Sequence, residues 1–140
     1  MRKNEPITHI MTRNPYTVHL GQKPSEVRKV FAEHRFHHLP VVSGGRLVGM
    51  LASSDVLRVF SDAWGTDARA MDVAVDAQYS LDQWMVKDPV HLGEHSTVRD
   101  AAHALARGEF HAVPVTHENG ELLGIVTSTD LIRYLIEQVG

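Results

Sequence analysis

Phe36-His37-His38-Leu39-Pro40-Val41-Val42 returns further along the chain as Phe110-His111-Ala112-Val113-Pro114-Val115-Thr116. The offset is 74 positions, and it extends outward from this stretch in both directions. Upstream it lays Met11 on Met85 and Pro15 on Pro89. Downstream, one extra residue in the second turn raises the offset to 75, so that Gly49 falls on Gly124, Ser53 on Ser128, Asp55 on Asp130 and Arg58 on Arg133. Stacked repeat arrays need at least three units to bury a continuous core. Two copies of this length instead close on each other as a pseudo-twofold module, with two equivalent clefts where the halves meet.

A chain of 140 residues fits one compact domain with a real apolar core. Its composition, 43% hydrophobic and 22% charged, is that of a globular protein. A formal net charge of −3 argues against a nucleic-acid binder that relies on a broad basic face. The absence of cysteine excludes disulfide scaffolds, thiolate zinc sites and cysteine nucleophiles, and it suits a reducing compartment. Met1-Arg2-Lys3-Asn4-Glu5-Pro6 is followed by no apolar core, so it does not read as a signal peptide, and no stretch reaches the apolar length of a membrane span. The expected location is the cytoplasm.

Each copy reads in the same order. A Met-x-x-x-Pro segment leads into a short strand, Tyr16-Thr17-Val18 or Val90-His91-Leu92. A helix follows, over about 24–34 and 97–107, opened in the first copy by Pro24, whose missing N–H costs nothing at the first helical position. In the second copy Thr97 with Asp100 reads as an N-cap pair, and Gly108 falls at the left-handed C-terminal position. A hairpin comes next, turning at Gly44-Gly45 or at Asn119-Gly120, residues that supply the positive φ of tight turns. The closing helices are apolar over much of their circumference: Val56, Leu57, Val59 and Phe60 around Arg58, and Leu131, Ile132, Tyr134, Leu135 and Ile136 around Arg133. One face can cover the chain's own sheet; the other calls for a partner and points to self-association. The resulting division is 1–61 for the first unit, 62–80 for a linker that is either helical or mobile, and 81–140 for the second unit.

Taken together, the ordered set resembles a tandem pair of CBS domains, also called a Bateman module. It rests on Met-Thr-Arg-Asn-Pro-Tyr-Thr-Val (11–18), His-His-Leu-Pro-Val-Val (37–42) and Leu-Val-Gly-Met-Leu-Ala-Ser-Ser-Asp (47–55) in the first copy. In the second it rests on Met-Val-Lys-Asp-Pro-Val (85–90), His-Ala-Val-Pro-Val (111–115) and Leu-Leu-Gly-Ile-Val-Thr-Ser-Thr-Asp (122–130). The resemblance implies an α/β fold of the α+β-like kind: two pseudo-twofold-related β-α-β-β-α units packed sheet to sheet. It also implies a regulatory module rather than an enzyme, dimerising through its helices and binding an adenosine-containing nucleotide in the clefts. AMP, ADP, ATP and S-adenosylmethionine are the expected ligand class, with no obligatory cofactor, and the regulated partner is expected to be a separate protein.

A nucleotide asks a cleft for a carboxylate to hold the ribose diol, donors for phosphate and an apolar slot for the base. Gly-Ile-Val-Thr-Ser-Thr-Asp (124–130) offers the first two at a strand-to-helix junction: Asp130 can accept two hydrogen bonds, Thr127, Ser128 and Thr129 bring hydroxyls, and the helix N-terminus favours an anion. In the family the opposite copy completes each cleft. The resemblance therefore joins Met11, Asn14, Tyr16, Phe36 and His37 to Asp130, with Ile125 alongside. Tyr16 and Phe36 would line the base, and His37 would face phosphate when protonated. The second cleft would combine Met50, Ser53, Ser54 and Asp55 with Met85, Val90, Phe110 and His111. It is expected to be the weaker, because Ala52 stands where the first cleft has Thr127 and Asp88 where it has Asn14. One lost hydrogen bond is worth about 0.5–1.5 kcal/mol.

Plainer readings stand beside these. Ser/Thr-x-x-Asp is also a helix-capping arrangement, and Phe36 and Phe110 also suit a core. A structural dimerisation module with empty clefts is the rival reading of the whole. Ten histidines, with His34, His37 and His38 clustered, supply no convincing metal-ligand set. No phosphate-binding loop of the Gly-x-x-x-x-Gly-Lys type and no nucleophile elbow occurs, so no enzyme chemistry is favoured.

Overall fold

Period-2 apolar runs bounded by turn residues become the strands here, and 3.6-period runs become the helices. The computed structural model describes residues 4–61 and 67–139, with the side chain of Ser61 left aside. In chain order the strands are β1 (Thr12–Arg13), β2 (Val18–His19), β3 (His38–Ser43), β4 (Arg46–Ala52), β5 (Val86–Lys87), β6 (Leu92–Gly93), β7 (Ala112–Thr116) and β8 (Leu122–Thr127). The helices are α1 (Pro24–Glu33), α2 (Ser53–Ser61), α3 (Ala68–Gln78), α4 (Val98–Ala106) and α5 (Ser128–Val139). Pro24 does open α1, Thr97 caps α4 in a reciprocal pair with Asp100, and Gly108 follows α4 at φ 76°. Both hairpins form, with Gly44 at φ 59° and Gly45 at φ 80° in the first turn.

The fold is mixed α/β and repeats a β-β-α-β-β-α order, each repeat contributing to a four-stranded sheet. The sequence pattern missed the first strand of each repeat. Thr12–Arg13 and Val86–Lys87 are only two residues long, too short to show alternation, and they are ordered by pairing with a distant hairpin. The strands expected at 16–18 and 90–92 sit further along, because parallel pairing begins only at Val18, opposite Val41, and at Leu92, opposite Val115.

Two compact units result, and each exchanges a segment with the other repeat. Unit 1 holds Met1–Pro15, Gly45–Leu47 and Pro89–Gly140. Its sheet runs β1-β8-β7-β6, with Thr12 opposite Ile125 and Arg13 opposite Gly124. Its core is built on Ile7, Met11, Ala101, Leu105, Val113, Val115 and Val126. Unit 2 holds Tyr16–Gly44 and Val48–Asp88, and its sheet runs β2-β3-β4-β5 with Gly49 opposite Lys87 and Met50 opposite Val86. Its core includes Val18, Val27, Phe31, Leu39, Val41, Leu51, Val56 and Phe60. The Met-x-x-x-Pro segment of the first copy thus completes the sheet of the second, and the reverse, so compactness does not follow a division at 61 and 81. The repeat also begins earlier than Met11: Ile7 and Leu81, again 74 apart, are both fully buried in short 3-10 turns.

Within the segment read as a linker, residues 62–66 lie outside the described residues, and a helix, α3, follows. Asp67 caps it by accepting from the N–H groups of Arg69 and Ala70. Val75 is buried in the unit 2 core. Two carboxylates one turn apart then fasten α3 to α1. Asp76 accepts from Ser25 N at 2.8 Å and from the Ser25 hydroxyl, while Asp72 receives Arg28 Nε at 3.0 Å and Nη2 at 2.7 Å. Its polar, alanine-rich composition reflects this polar clamp.

Candidate functional site

In unit 1 the chain builds a half-site around the start of α5. β8 carries Gly124 and Ile125 inward and ends at Thr127, which caps the helix. Asp130 N donates to Thr127 Oγ1 at 3.2 Å, and Thr127 N donates to Asp130 Oδ2 at 2.9 Å. This is the reciprocal capping pair, so the plain structural reading of Asp130 is realised. It leaves room for the other reading. Only Oδ2 takes part, Asp130 is half-buried, and the bond fixes the carboxylate rotamer while Oδ1 keeps its accepting capacity. Ser128 N donates to the carbonyl of His111 at 3.0 Å, which ties the helix start to β7, and Thr129 is exposed at the first turn.

β1 lies against this junction. Met11 is 8% exposed and covers Gly124, whose missing side chain is what lets the thioether approach. Asn14 N donates to Leu123 O at 3.4 Å, and Asn14 itself adopts the left-handed conformation at φ 48°. That conformation, which asparagine and aspartate tolerate better than most residues, gives Asn14 a structural reason to be there. The equivalent residue in unit 2, Asp88, has φ 46°. Met11, Asn14, Ile125, Thr127, Ser128, Thr129 and Asp130 therefore belong to one unit, as do Val90, Phe110 and His111.

Unit 2 holds the matching junction at α2 in weaker form. Met85 covers Gly49, Met50 is buried, and Ser53 N donates to the carbonyl of His37 at 2.9 Å. Ala52 has no hydroxyl with which to return a bond to the helix, and Asp55 Oδ1 lies instead 3.5 Å from Arg58 Nη2 on an exposed face. Ser54 is exposed. Tyr16, Phe36 and His37 also fall in this unit, where two of them build something the sequence reading only partly foresaw. Tyr16 and Phe36 are 48% and 37% exposed, with ring centroids 5.5 Å apart. His34 completes the group, 5.0 Å from Phe36 in a near-parallel stack and 4.9 Å from Tyr16.

His34 was the omission. α1 ends at Glu33 and His34 is extended, so period-2 alternation puts residues 34 and 36 on one side. The helix boundary, read one residue too late, hid that signal. The second copy has Val90, Gly108 and Phe110 at these positions, with Val90 exposed and Phe110 packed on the unit 1 core. The core reading thus suits Phe110 better than Phe36. Among the described residues, no three His, Cys, Asp or Glu side chains are placed to hold one metal ion, and no helix is long and apolar enough to cross a membrane.

The CBS domain family model matches this chain twice, over residues 7–62 and 80–137. The chain belongs to the CBS domain family. This CBS pair is similar to the uncharacterized protein MJ1225 of Methanocaldococcus jannaschii, 27% identical over 133 residues, which are 94% of this chain and 48% of that protein. The chain thus spans about half the length of that relative. The crystal structure of MJ1225 superposes with a TM-score of 0.78, covering 96% of this chain and 49% of that one. The structure of CBSX2 in complex with AMP gives a TM-score of 0.80 at 20% identity, covering 97% and 99% of the two chains. The CBS domain pair of protein MJ0100, in complex with 5′-methylthioadenosine and S-adenosyl-L-methionine, gives 0.74 at 24% identity, covering 93% and 98%. At these identities the two ligand complexes speak for the fold.

Proposed function

We propose that this CBS pair is a regulatory module that binds an adenosine-containing nucleotide and passes its occupancy to a partner protein in the cytoplasm. The observation that carries the reading is the Asp130 carboxylate, fixed by Thr127 at the start of α5 with one oxygen to spare, in the unit that also brings Met11 and Asn14. A carboxylate takes a ribose diol, the helix start takes phosphate, and an exposed aromatic group such as Tyr16–His34–Phe36 suits a purine. That one ligand uses residues of both repeats is the family expectation and forms part of the proposal. The complexes of CBSX2 with AMP and of MJ0100 with S-adenosyl-L-methionine support testing adenosine compounds first. The Asp55 junction, with Met50, Ser53, Ser54, Met85, Val90, Phe110 and His111, is the weaker site, lacking both the cap hydroxyl and the second aromatic.

Calorimetric titration of AMP, ADP, ATP and S-adenosylmethionine into wild type, Asp130→Ala and Asp55→Ala tests this. Binding lost in Asp130→Ala and retained in Asp55→Ala supports the ranking; the opposite order refutes it, and no binding by any of the four refutes the function.

A second reading, a structural dimerisation module, is favoured by one feature. Ile132, Leu135, Ile136 and Val139 follow the i, i+3, i+4, i+7 spacing on α5 and are 57%, 47%, 64% and 78% exposed. An apolar stripe of this kind suits a second copy of the chain. The two readings are compatible: a ligand shifts the packing of a dimer by its difference in affinity for the two arrangements.

A further inference from the structure

The repeat places an arginine three residues after each junction aspartate, Arg58 after Asp55 and Arg133 after Asp130. Residues three apart on a helix are neighbours on its surface. In unit 2 that reach is realised, with Arg58 Nη2 3.5 Å from Asp55 Oδ1. In unit 1 it is not. The Asp130 carboxylate is turned back to the Thr127 N–H at 2.9 Å, and among the described residues the exposed Arg133 guanidinium has neither a hydrogen bond nor an ion pair. Glu137, one turn further along α5, is not paired with it either.

One atom accounts for the difference. Thr127 Oγ1 accepts from Asp130 N at 3.2 Å and closes the reciprocal cap that holds the carboxylate at the strand end. Ala52 has no such oxygen, the cap in unit 2 does not close, and Asp55 faces its own arginine. The consequence is electrostatic. In unit 2 carboxylate and guanidinium neutralise each other. In unit 1 the guanidinium is left to solvent, near the start of a twelve-residue helix whose terminal N–H groups are themselves partly positive. A cation there gains nothing from the helix dipole, so helix stability does not explain Arg133.

We propose that Arg133 holds the phosphate of a nucleotide at the Asp130 site and thereby selects phosphorylated adenosine compounds over uncharged or cationic ones. This rests on the nucleotide reading of that junction. The capped Asp130 keeps one oxygen for the ribose diol, and the guanidinium one turn on brings a planar fork of N–H donors that matches two phosphate oxygens. AMP, ADP and ATP all satisfy it. Adenosine leaves it unused, and S-adenosylmethionine sets a sulfonium, a like charge, where the phosphate would be. At the Asp55 junction Arg58 is already engaged, so phosphate should be favoured little there.

The test is calorimetric titration of AMP and of adenosine into the full chain at low salt, comparing wild type with Arg133→Gln and Arg133→Lys. Circular dichroism verifies that both variants fold. The expected result is AMP affinity lowered about threefold to tenfold in Arg133→Gln, adenosine affinity unchanged, and partial recovery in Arg133→Lys. The loss should shrink at high salt, as screening of an exposed contact requires. AMP affinity unchanged in Arg133→Gln overturns the proposal. So does an equal loss for AMP and adenosine, which would put the side chain at the sugar or the base. No AMP binding by wild type overturns the nucleotide reading and this proposal with it, whereas binding abolished in Asp130→Ala and intact in Arg133→Gln removes the role of Arg133 alone.

Discussion

Met11 Sδ lies 2.8 Å from the point where a Cβ on Gly124 would stand, so a thioether from one end of the chain occupies the side-chain space of a strand residue more than a hundred positions away. Met85 covers Gly49 in the same manner in the other unit. The glycine that begins each of the stretches 49–55 and 124–130 is thus an opening for a strand from the other repeat, and the conformational freedom of glycine plays no part. Gly124→Ala should cost about 1–3 kcal/mol, because the new methyl meets both Met11 and the Thr12 carbonyl, a backbone atom 2.7 Å away. Chemical denaturation measures it. A combined Met11→Ala change should recover only part of the loss, since the carbonyl contact persists.

Thr127→Ala removes one half of the α5 cap and should lower stability by about 1 kcal/mol. It also turns the stronger junction into a copy of the one at Ala52, so nucleotide affinity should fall by several-fold, as about 1 kcal/mol implies. Ala52→Thr is the reciprocal change, and it should raise stability and strengthen the Asp55 site. Thermal unfolding with and without AMP reads both effects.

Asn14 stands in the left-handed region, so two substitutions separate its backbone role from its side-chain role. Asn14→Val should destabilise by about 1–2 kcal/mol, because a β-branched residue resists that conformation. Asn14→Gly should fold as well as wild type. If Asn14→Gly also binds nucleotide unchanged, the side chain is not a ligand contact and its presence is explained by φ alone.

Asp72 and Asp76 hold α3 against α1 through Arg28 and Ser25. Asp72→Asn breaks a bidentate, partly buried pair and should cost about 1–3 kcal/mol, with Asp76→Asn comparable. Amide exchange should accelerate first in Ala68–Gln78, the helix they fasten. Uniform acceleration throughout unit 2 would instead mean that α3 is integral to the core.

Ile132→Lys with Ile136→Lys places two charges on the exposed apolar stripe of α5. If the stripe is a dimer seam, static light scattering should show a dimer for wild type and a monomer for the variant, with little loss of monomer stability, because neither side chain is buried within the chain.

The repeat was legible because it is written in residues that backbone geometry demands. Gly-Gly and Asn-Gly at the hairpin tips, Pro24 at a helix start and the Thr97–Asp100 pair are local requirements, and local requirements can be read from a few neighbouring letters. The two-residue strands were not legible, since Thr12–Arg13 and Val86–Lys87 acquire their conformation from partners far along the chain. His34 escaped for a related reason: its membership in the aromatic group depends on α1 ending at Glu33, and a boundary misjudged by one residue turns alternation into helical phase.

By itself, then, the sequence determined two repeats, their helices and hairpins, and the inequality between Thr127 and Ala52, because each follows from propensity or from the presence of an atom. Only the tertiary structure decided that Thr12–Arg13, flanked by Met11 and Asn14, complete the sheet that leads into Asp130, and that α3 is clamped by two carboxylates. Those facts depend on which distant segments meet, and that is settled by the burial of apolar surface in each unit as a whole, a quantity no short window of sequence contains.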